Sequence, residues 1–307
     1  MSRHFLYLLF VIFFTSTPAL MMEPTAIIDG LAVYRVGDGE PIFLMPYPHA
    51  SVSASAAEGP LADILIETGR SVITFDPPGA FRSTRTPTVN LDEMLACTSE
   101  TLDHFGIDER IDFIGHSMSS FCALAFNIEH QERVKRLVLV GSTSGWPAVR
   151  KWGLPRNWKW WKDWEYWQCM YLGTRIVLGL GNLAIHKKLD HLVASASYVD
   201  QKYVHEMKIS REDRRESLPA RSVWFDHLRK GKVDYKGKLH LLDLPVLICV
   251  GKYDPQTPVV MNRELHDGIR NSEIIIFEHS GHNPFVEEKE LFTDVLRTFL
   301  EREPAAR

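Results

Sequence analysis

The stretch that decides the fold is Phe113-Ile114-Gly115-His116-Ser117-Met118-Ser119-Ser120. A β-type run over residues 110–114 enters it, and a helical run over residues 121–126 leaves it. A serine between two small residues at a strand-to-helix switch is the pattern of a nucleophile elbow, a tight turn that lifts the hydroxyl clear of the backbone at the positive end of the next helix. An ordinary βα turn that holds a serine has the same pattern, so the interpretation needs support from elsewhere in the chain.

Two later loops supply that support. A buried-type strand over residues 244–250 runs into Asp254, and a second strand over residues 273–277 runs into His282. A serine hydroxyl is a poor nucleophile until a histidine takes its proton, and that histidine needs a buried carboxylate to fix its tautomer. The chain order serine, aspartate, histidine, with each residue just after a strand, predicts a catalytic triad of Ser117, Asp254 and His282.

With these segments in view, the chain resembles the α/β-hydrolases over residues 24–303, in the style of the proline iminopeptidase, esterase and lactonase group. Residues 42–49 lie where that family has a strand and its oxyanion loop, and residues 75–83 lie where it has Asp-x-x-Gly-x-Gly-x-Ser. The resemblance implies a doubly wound, mostly parallel sheet with a helical lid, and hydrolysis of an ester, lactone or amide through an acyl-enzyme without metal or cofactor. Because Gly281-His282 carries the family match, His282 is the predicted base and His279 a decoy.

The chain departs from the family pattern at three places. Ser119 stands where the elbow usually has glycine, Phe81 replaces a loop glycine, and residues 45–46 replace a His-Gly pair. Proline has no N–H, so within Pro46-Tyr47-Pro48 only Tyr47 can donate from its backbone. The resemblance therefore assigns the oxyanion hole to the N–H groups of Tyr47 and Met118. The alternative is a lost hole, which would leave a non-catalytic binding protein on a hydrolase scaffold.

The alternation of strands and helices favours an α/β architecture in which the triad residues lie at the carboxyl ends of strands. We expect residues 23–141 and 243–307 to form the core, residues 142–242 to form an inserted lid, and residues 1–22 to be a signal-like or anchor segment. Residues 31–45, with a Gly37-Asp38-Gly39 turn, are interpreted as a β-hairpin.

The predicted lid is dense in tryptophan, and three interpretations remain open: a helical cap with its own tryptophan core, an aromatic roof over Ser117, and a membrane-surface patch. The roof interpretation makes four tryptophans candidate substrate-binding residues, namely Trp146, Trp152, Trp161 and Trp164. An aminopeptidase, the main rival within the hydrolases, would need acidic lid residues to bind a free amine. Asp163 and Glu165 are the candidates, although surface solubility explains them equally well.

The amino-acid composition and net charge indicate which classes of partner to expect. The 307 residues are 45% hydrophobic and 24% charged, which is ordinary for a globular protein. A net charge of −4 gives no basic footprint, so we expect a small-molecule substrate and no nucleic acid. No metal-type cysteine and histidine spacing occurs, and Cys122 and Cys249 are expected to be buried small hydrophobes. The oligomeric state is left open.

The N-terminus has the layout of a signal peptide, with a weakly basic start, an apolar run over residues 5–14 and then small residues. Ten apolar residues are few for a membrane-spanning helix, so a membrane contact would be a tether. We expect a secreted, periplasmic or membrane-tethered protein. The alternative is a cytoplasmic protein whose translation starts at Met21 or Met22.

Overall fold

The computed structural model describes residues 22–48, 55–86, 90–153, 164–177, 180–181, 183–206, 227, 230 and 233–302. The predicted signal-like segment, apart from Met22, and the proposed membrane contact at residues 5–14 lie outside these residues. No helix among the described residues has the length and apolar character needed to cross a bilayer.

Eight strands form one sheet in the order β1-β2-β4-β3-β5-β6-β7-β8. Their bounds are β1 Ala26–Ile28, β2 Leu31–Val36, β3 Glu40–Leu44, β4 Arg70–Phe75, β5 Ile111–His116, β6 Val134–Val140, β7 Val246–Gly251 and β8 Ser272–Phe277. From β4 to β8 every pairing is parallel, and β1 and β2 join antiparallel at one edge. This is the doubly wound, mostly parallel sheet that was predicted.

The hairpin prediction for residues 31–45 is wrong. β2 pairs antiparallel with β4 and β3 pairs parallel with β4, so β4 lies between the two strands. The glycine turn instead passes over the start of β4, where a Cβ on Gly39 would lie 1.7 Å from the carbonyl oxygen of Gly69. The turn is short because it crosses only one strand, β4, and passes close to it. A β-hairpin turn would have the same local sequence.

Helices cover both faces of the sheet. Their bounds are α1 Pro60–Glu67, α2 Leu91–His104, α3 Met118–Glu129, α4 Trp146–Trp152, α5 Trp164–Val177, α6 Leu183–Ser197, α7 Lys202–Glu206, α8 Val259–Gly268, α9 Pro284–Glu287 and α10 Lys289–Glu301, with 3-10 turns at Ala56–Glu58, Gln131–Arg133 and Lys236–Leu241. The helices α4 to α7 lie between β6 and β7, in the predicted lid.

The core follows from the alternation of side chains along each strand. On β6, Leu137 and Leu139 join the apolar cluster under α2, α3 and α8, while Val138 and Val140 join the cluster under α1 and α10. Both clusters consist of buried residues, which explains the near-continuous apolar runs of the central strands. The four cysteines are unpaired and buried, as predicted for Cys122 and Cys249.

Candidate active site

Ser117 lies between β5 and α3 with φ 57° and ψ −125°. Residues other than glycine rarely adopt this backbone conformation. Its N–H donates to the carbonyl of Val140 on the neighbouring strand at 2.8 Å. A Cβ on Gly115 would lie 2.7 Å from the backbone of Ser120, so this turn admits only glycine there. Ser117 therefore occupies a strained turn of the kind that the sequence pattern predicted.

Ser119, which replaces the usual glycine, closes the turn through its side chain. Its hydroxyl accepts from the N–H of His116 at 2.8 Å and donates to the carbonyl of His116 at 2.9 Å. Phe81, the other departure from a glycine pattern, takes φ 49° and so adopts the left-handed conformation for which glycine is the usual residue.

Asp254 and His282 form a buried pair in the loops after β7 and β8. His282 Nδ1 lies 2.7 Å from Asp254 Oδ2, and both residues are 4% exposed. The Asp254 carboxylate also accepts from the N–H of Gln256 at 2.8 Å and from the N–H and hydroxyl of Thr257 at 2.9 and 2.7 Å. Burial alone would raise the pKa of Asp254, but the interaction with His282 and the Thr257 hydrogen bonds outweigh it and lower the pKa.

The pair lies against the strand end beside the elbow. Gly141 directly follows β6 with φ 53°, and a Cβ there would lie 3.2 Å from Asp254 Oδ2 and 3.3 Å from His282 Cε1. Val140, which binds the Ser117 N–H, is the preceding residue. In the described part of the chain, no hydrogen bond joins Ser117 Oγ to His282, whose ring hydrogen-bonds Asp254 and Thr257 through Nδ1. Catalytic hydrogen bonds are often long before substrate binds. The absence of a Ser117–His282 hydrogen bond here is therefore compatible with a serine and its base.

His116, between Gly115 and Ser117, joins two loops of the site. Its Nε2 lies 2.8 Å from the carbonyl oxygen of His282, and its Nδ1 hydrogen-bonds the Tyr47 hydroxyl. The rings of His116 and His282 are 4.6 Å apart between centres. Burial, together with the nearby His282, lowers the pKa of His116 to about 3, so the ring is neutral. Sequence reasoning missed this residue. The one signal for a role in the site is its position directly before Ser117.

The loop predicted to hold the oxyanion begins next to the elbow. The N–H of Met45 donates to the carbonyl of Ile114 at 2.9 Å, which continues the β3–β5 pairing past the end of β3. Tyr47 then reaches His116 with its side chain, the ring centres 5.8 Å apart. Met118 begins α3 directly after Ser117.

The predicted lid contacts His282 through the end of α6. The N–H of His282 donates to the carbonyl of Ser197 at 2.7 Å, and the side-chain amide of Gln256 donates to the Ser197 hydroxyl at 2.7 Å. The backbone N–H of His282 is thus bound by Ser197 at the end of α6, and its carbonyl by His116 at the elbow.

Glu287 joins the same two regions. Its carboxylate accepts from the N–H of Gly281, beside His282, at 2.6 Å and from the lid N–H groups of Val199 and Asp200 at 2.7 and 3.2 Å. Burial raises the pKa of this carboxyl. In sequence Glu287 is one of several glutamates between residues 287 and 301, so nothing marked it as part of the site.

Comparisons with known proteins agree with this architecture. The sequence model of the family described as alpha/beta hydrolase fold matches residues 51–289. This chain belongs to the α/β-hydrolase fold family.

Two of the relatives of this α/β-hydrolase illustrate the range of activities named among them. A 2-hydroxy-6-oxononadienedioate/2-hydroxy-6-oxononatrienedioate hydrolase of Paraburkholderia phymatum is 27% identical over 256 residues, which is 78% of this chain and 79% of that protein. A proline iminopeptidase of Saccharolobus solfataricus is 24% identical over 268 residues, 79% of each chain. An α/β-fold hydrolase from Bacillus anthracis str. Sterne superposes with a TM-score of 0.72 at 20% identity, covering 88% of this chain and 95% of that one, which shows the shared fold.

The candidate tryptophans of this α/β-hydrolase do not share one environment. Trp146 is half-buried against the core cluster under α3, and Trp152 is half-buried with Lys151 Nζ 4.3 Å from its ring centre. Trp164 is 70% exposed at the start of α5, and Trp161 lies outside the described residues. Their role in substrate binding stays a prediction.

Of the two acidic residues considered for amine binding, the structure describes one. Glu165 is exposed on α5, and Asp163 lies outside the described residues. Over the described ranges, no group of three or more histidine, cysteine or acidic residues has the arrangement of a metal site.

Proposed function

We propose that this α/β-hydrolase is a serine hydrolase that cleaves an ester, lactone or amide bond through an acyl-enzyme. His282 takes the proton of Ser117 as the hydroxyl attacks the substrate carbonyl, and it then protonates the leaving group. Asp254 holds the tautomer of His282 and stabilises the imidazolium. Water repeats the cycle on the acyl-enzyme and releases the acid.

The buried hydrogen bond between His282 and Asp254 at 2.7 Å carries this proposal. The carboxylate accepts from the Nδ1–H of His282, which leaves Nε2 as the nitrogen that would serve Ser117. A carboxylate with a lowered pKa stays ionised at neutral pH, as a partner of an imidazolium must. The strained elbow that presents Ser117 at the neighbouring strand end supports the same role.

The oxyanion hole in this proposal uses the backbone N–H groups of Tyr47 and Met118. Support comes from the position of the Tyr47 loop, which the Met45–Ile114 hydrogen bond places next to the elbow. Pro46 and Pro48 restrict the backbone on each side of Tyr47. Donors held in place before the reaction stabilise developing charge without reorganisation.

We propose a small, apolar and uncharged acyl group for the substrate. The Paraburkholderia phymatum relative is named for dienedioates, whose second carboxylate would need a cation in the pocket. Among the described residues, the side chains that hydrogen-bond the triad residues are Thr257, Ser120 and His116, which is held neutral. None of them is a lysine or an arginine, which favours neutral esters and lactones.

An aminopeptidase of the proline iminopeptidase type is the second candidate, favoured by the Saccharolobus solfataricus relative. It needs a carboxylate with free capacity near the site. Glu287 is close to the histidine loop, but three backbone N–H groups already occupy its oxygens. This occupancy favours the esterase over the aminopeptidase.

Covalent labelling with a fluorophosphonate probe tests the proposal, together with turnover of p-nitrophenyl esters beside proline and alanine arylamides. The wild type should be labelled at Ser117 and should turn over short apolar esters fastest. Ser117→Ala should lose labelling and turnover while keeping its fold by circular dichroism. Turnover that survives in Ser117→Ala would overturn the mechanism, and a wild type that binds esters without turnover would make the chain a binding protein.

A further inference from the structure

His116 uses both ring nitrogens to join segments that are far apart in the chain. The Tyr47 hydroxyl lies 69 residues away and the His282 carbonyl 166 residues away in sequence. One segment carries the proposed oxyanion donor and the other carries the proposed base. A single side chain therefore connects the two parts of the site that must keep a fixed separation during the reaction.

The direction of both hydrogen bonds follows from the chemistry of the partners. A carbonyl oxygen only accepts, so His116 Nε2 must carry the proton that it shares with the His282 carbonyl. The neutral ring then has a lone pair on Nδ1, and the Tyr47 hydroxyl must donate to it. Both protons are committed, which leaves His116 unable to act as a second general base.

The surroundings keep the ring in this state. The titratable groups that face it are the Tyr47 hydroxyl, the His282 ring and the nearby Asp254 carboxylate. Phe285, which follows His282 by three residues, packs edge-on against the ring at 4.9 Å between centres. His116 is 4% exposed, so solvent does not compete for either nitrogen.

We propose that His116 is a positioning residue. Together with the Tyr47 hydroxyl, it fixes the position of the oxyanion loop relative to the backbone of the catalytic histidine. This inference rests on the proposed function. It separates two roles of Tyr47, since the backbone N–H would contact the oxyanion while the side-chain hydroxyl would orient the loop through His116. Loss of the connection should impair the transition state more than the binding of substrate.

The test uses Tyr47→Phe, which removes one oxygen atom and keeps the backbone N–H, His116→Phe, which keeps a ring, and the double variant. Each single variant should lower kcat about tenfold with KM within about twofold, the scale of one lost buried hydrogen bond. Fluorophosphonate labelling should slow in parallel, because phosphonylation develops charge on the same oxygen. The double variant should resemble the worse single variant, because both substitutions break one connection.

Two further variants complete the design. His116→Gln keeps an N–H donor that can reach the His282 carbonyl and should recover part of kcat. Tyr235→Phe is the matched control, since it removes a buried tyrosine hydroxyl that hydrogen-bonds Glu129 at the far end of α3. It should lower thermal stability and leave kcat unchanged.

The outcomes distinguish the positioning role of His116 from the proposed serine hydrolase mechanism. Wild-type kcat and labelling rates in folded Tyr47→Phe and His116→Phe, with Ser117→Ala inactive, would overturn the positioning role and leave the serine mechanism standing. Multiplying losses in the double variant would also overturn it, because independent contacts would then be at work. Turnover in Ser117→Ala would instead overturn the proposed function itself.

Discussion

At the amino ends of β4, β5 and β6, the carboxylate of Asp112 lies between Arg70 and Arg136, whereas at the carboxyl ends of β7 and β8 the carboxylate of Asp254 faces His282. Arg136 contacts Asp112 with Nε at 2.7 Å and Nη2 at 2.8 Å, and Arg70 approaches at 3.1 Å. Both aspartate side chains are fully buried. The same sheet thus carries a buried carboxylate at each end.

The two carboxylates differ in their partners. The partners of Asp112 are guanidinium groups, whose other donors bind Glu40 and the carbonyls of Leu300 and Arg302 at the end of α10. The partner of Asp254 is an imidazole, whose second ring nitrogen remains for a reacting group. A buried carboxylate held by several fixed donors stabilises a fold, whereas one paired with an imidazole can also support proton transfer.

The largest effect is expected at the catalytic end. Asp254→Asn should lower kcat/KM about 10⁴-fold, because an amide favours the wrong tautomer of His282. The pKa of Asp254 lies below its ordinary value of 3.8, so the carboxylate stabilises the fold above that pH and loses this contribution as the pH falls through its lowered pKa. Steady-state kinetics at neutral pH and acid unfolding of both proteins measure the two effects. Activity within tenfold of wild type would remove Asp254 from the triad.

At the other end the same kind of change should act on stability. Asp112→Ala should lower the free energy of unfolding by about 3–5 kcal/mol, since it leaves the buried guanidinium of Arg136 without its anion and that of Arg70 with Glu40 as its remaining carboxylate. Urea denaturation measures this loss, and kcat per folded molecule should stay at the wild-type value. The exposed pair of Lys252 and Glu278 provides the control, because Glu278→Ala should leave the denaturation midpoint unchanged. A fall in kcat of folded Asp112→Ala would mean that the two ends are coupled.

Sequence reasoning anticipated which residues meet at the carboxyl end of the sheet better than it anticipated the other contacts. The elbow is a local motif, and Asp254 and His282 each follow a strand, so topology alone brings them to one edge. The contacts of His116, Ser197 and Glu287 depend on which loops meet, and no local pattern records that. The hairpin prediction failed for the same reason. The turn after β2 has the same local sequence whether β3 pairs with β2 or lies on the far side of β4.

The pH dependence of stability should depend on His116. Burial, together with the nearby His282, lowers its pKa from 6.5 to about 3, so between these values the unfolded chain binds a proton that the native protein does not. Stability therefore falls as the pH drops below about 6.5, by up to about 1.4 kcal/mol per pH unit from this residue. Urea denaturation of His116→Phe at pH 7, 6 and 5 should show a shallower decline than the wild type. Parallel declines would contradict the neutral, buried ring.

A smaller effect is expected where the lid meets the histidine loop. Glu287→Gln replaces a carboxylate that accepts three N–H groups with an amide that has one acceptor oxygen, so kcat should fall about tenfold as Gly281 and His282 gain freedom. Glu290→Gln is the control, because Glu290 is exposed on α10. Equal kcat values in the two variants would show that the lid contact does not orient the base.

The smallest effect is expected at the neighbouring histidine. His279 is exposed three residues before His282, and its N–H donates to Glu288 at 3.0 Å. His279→Ala should change kcat/KM by less than about twofold, the scale of a surface substitution. A loss comparable to that of Asp254→Asn would transfer the role of base to His279.

The connection between His116 and His282 spans 166 residues, and the bond from Arg136 to the carbonyl of Arg302 spans 166 as well. Both ends of the sheet are therefore completed only after the segment from β8 through α10 has been synthesised. During synthesis the apolar strands β3 to β6 emerge before either network can close, and topologies that are completed by such distant contacts are prone to aggregate. The nascent chain should thus form the turn at Ser117 well before residue 282 exists, and the site can be complete only once the His282 loop has folded onto it.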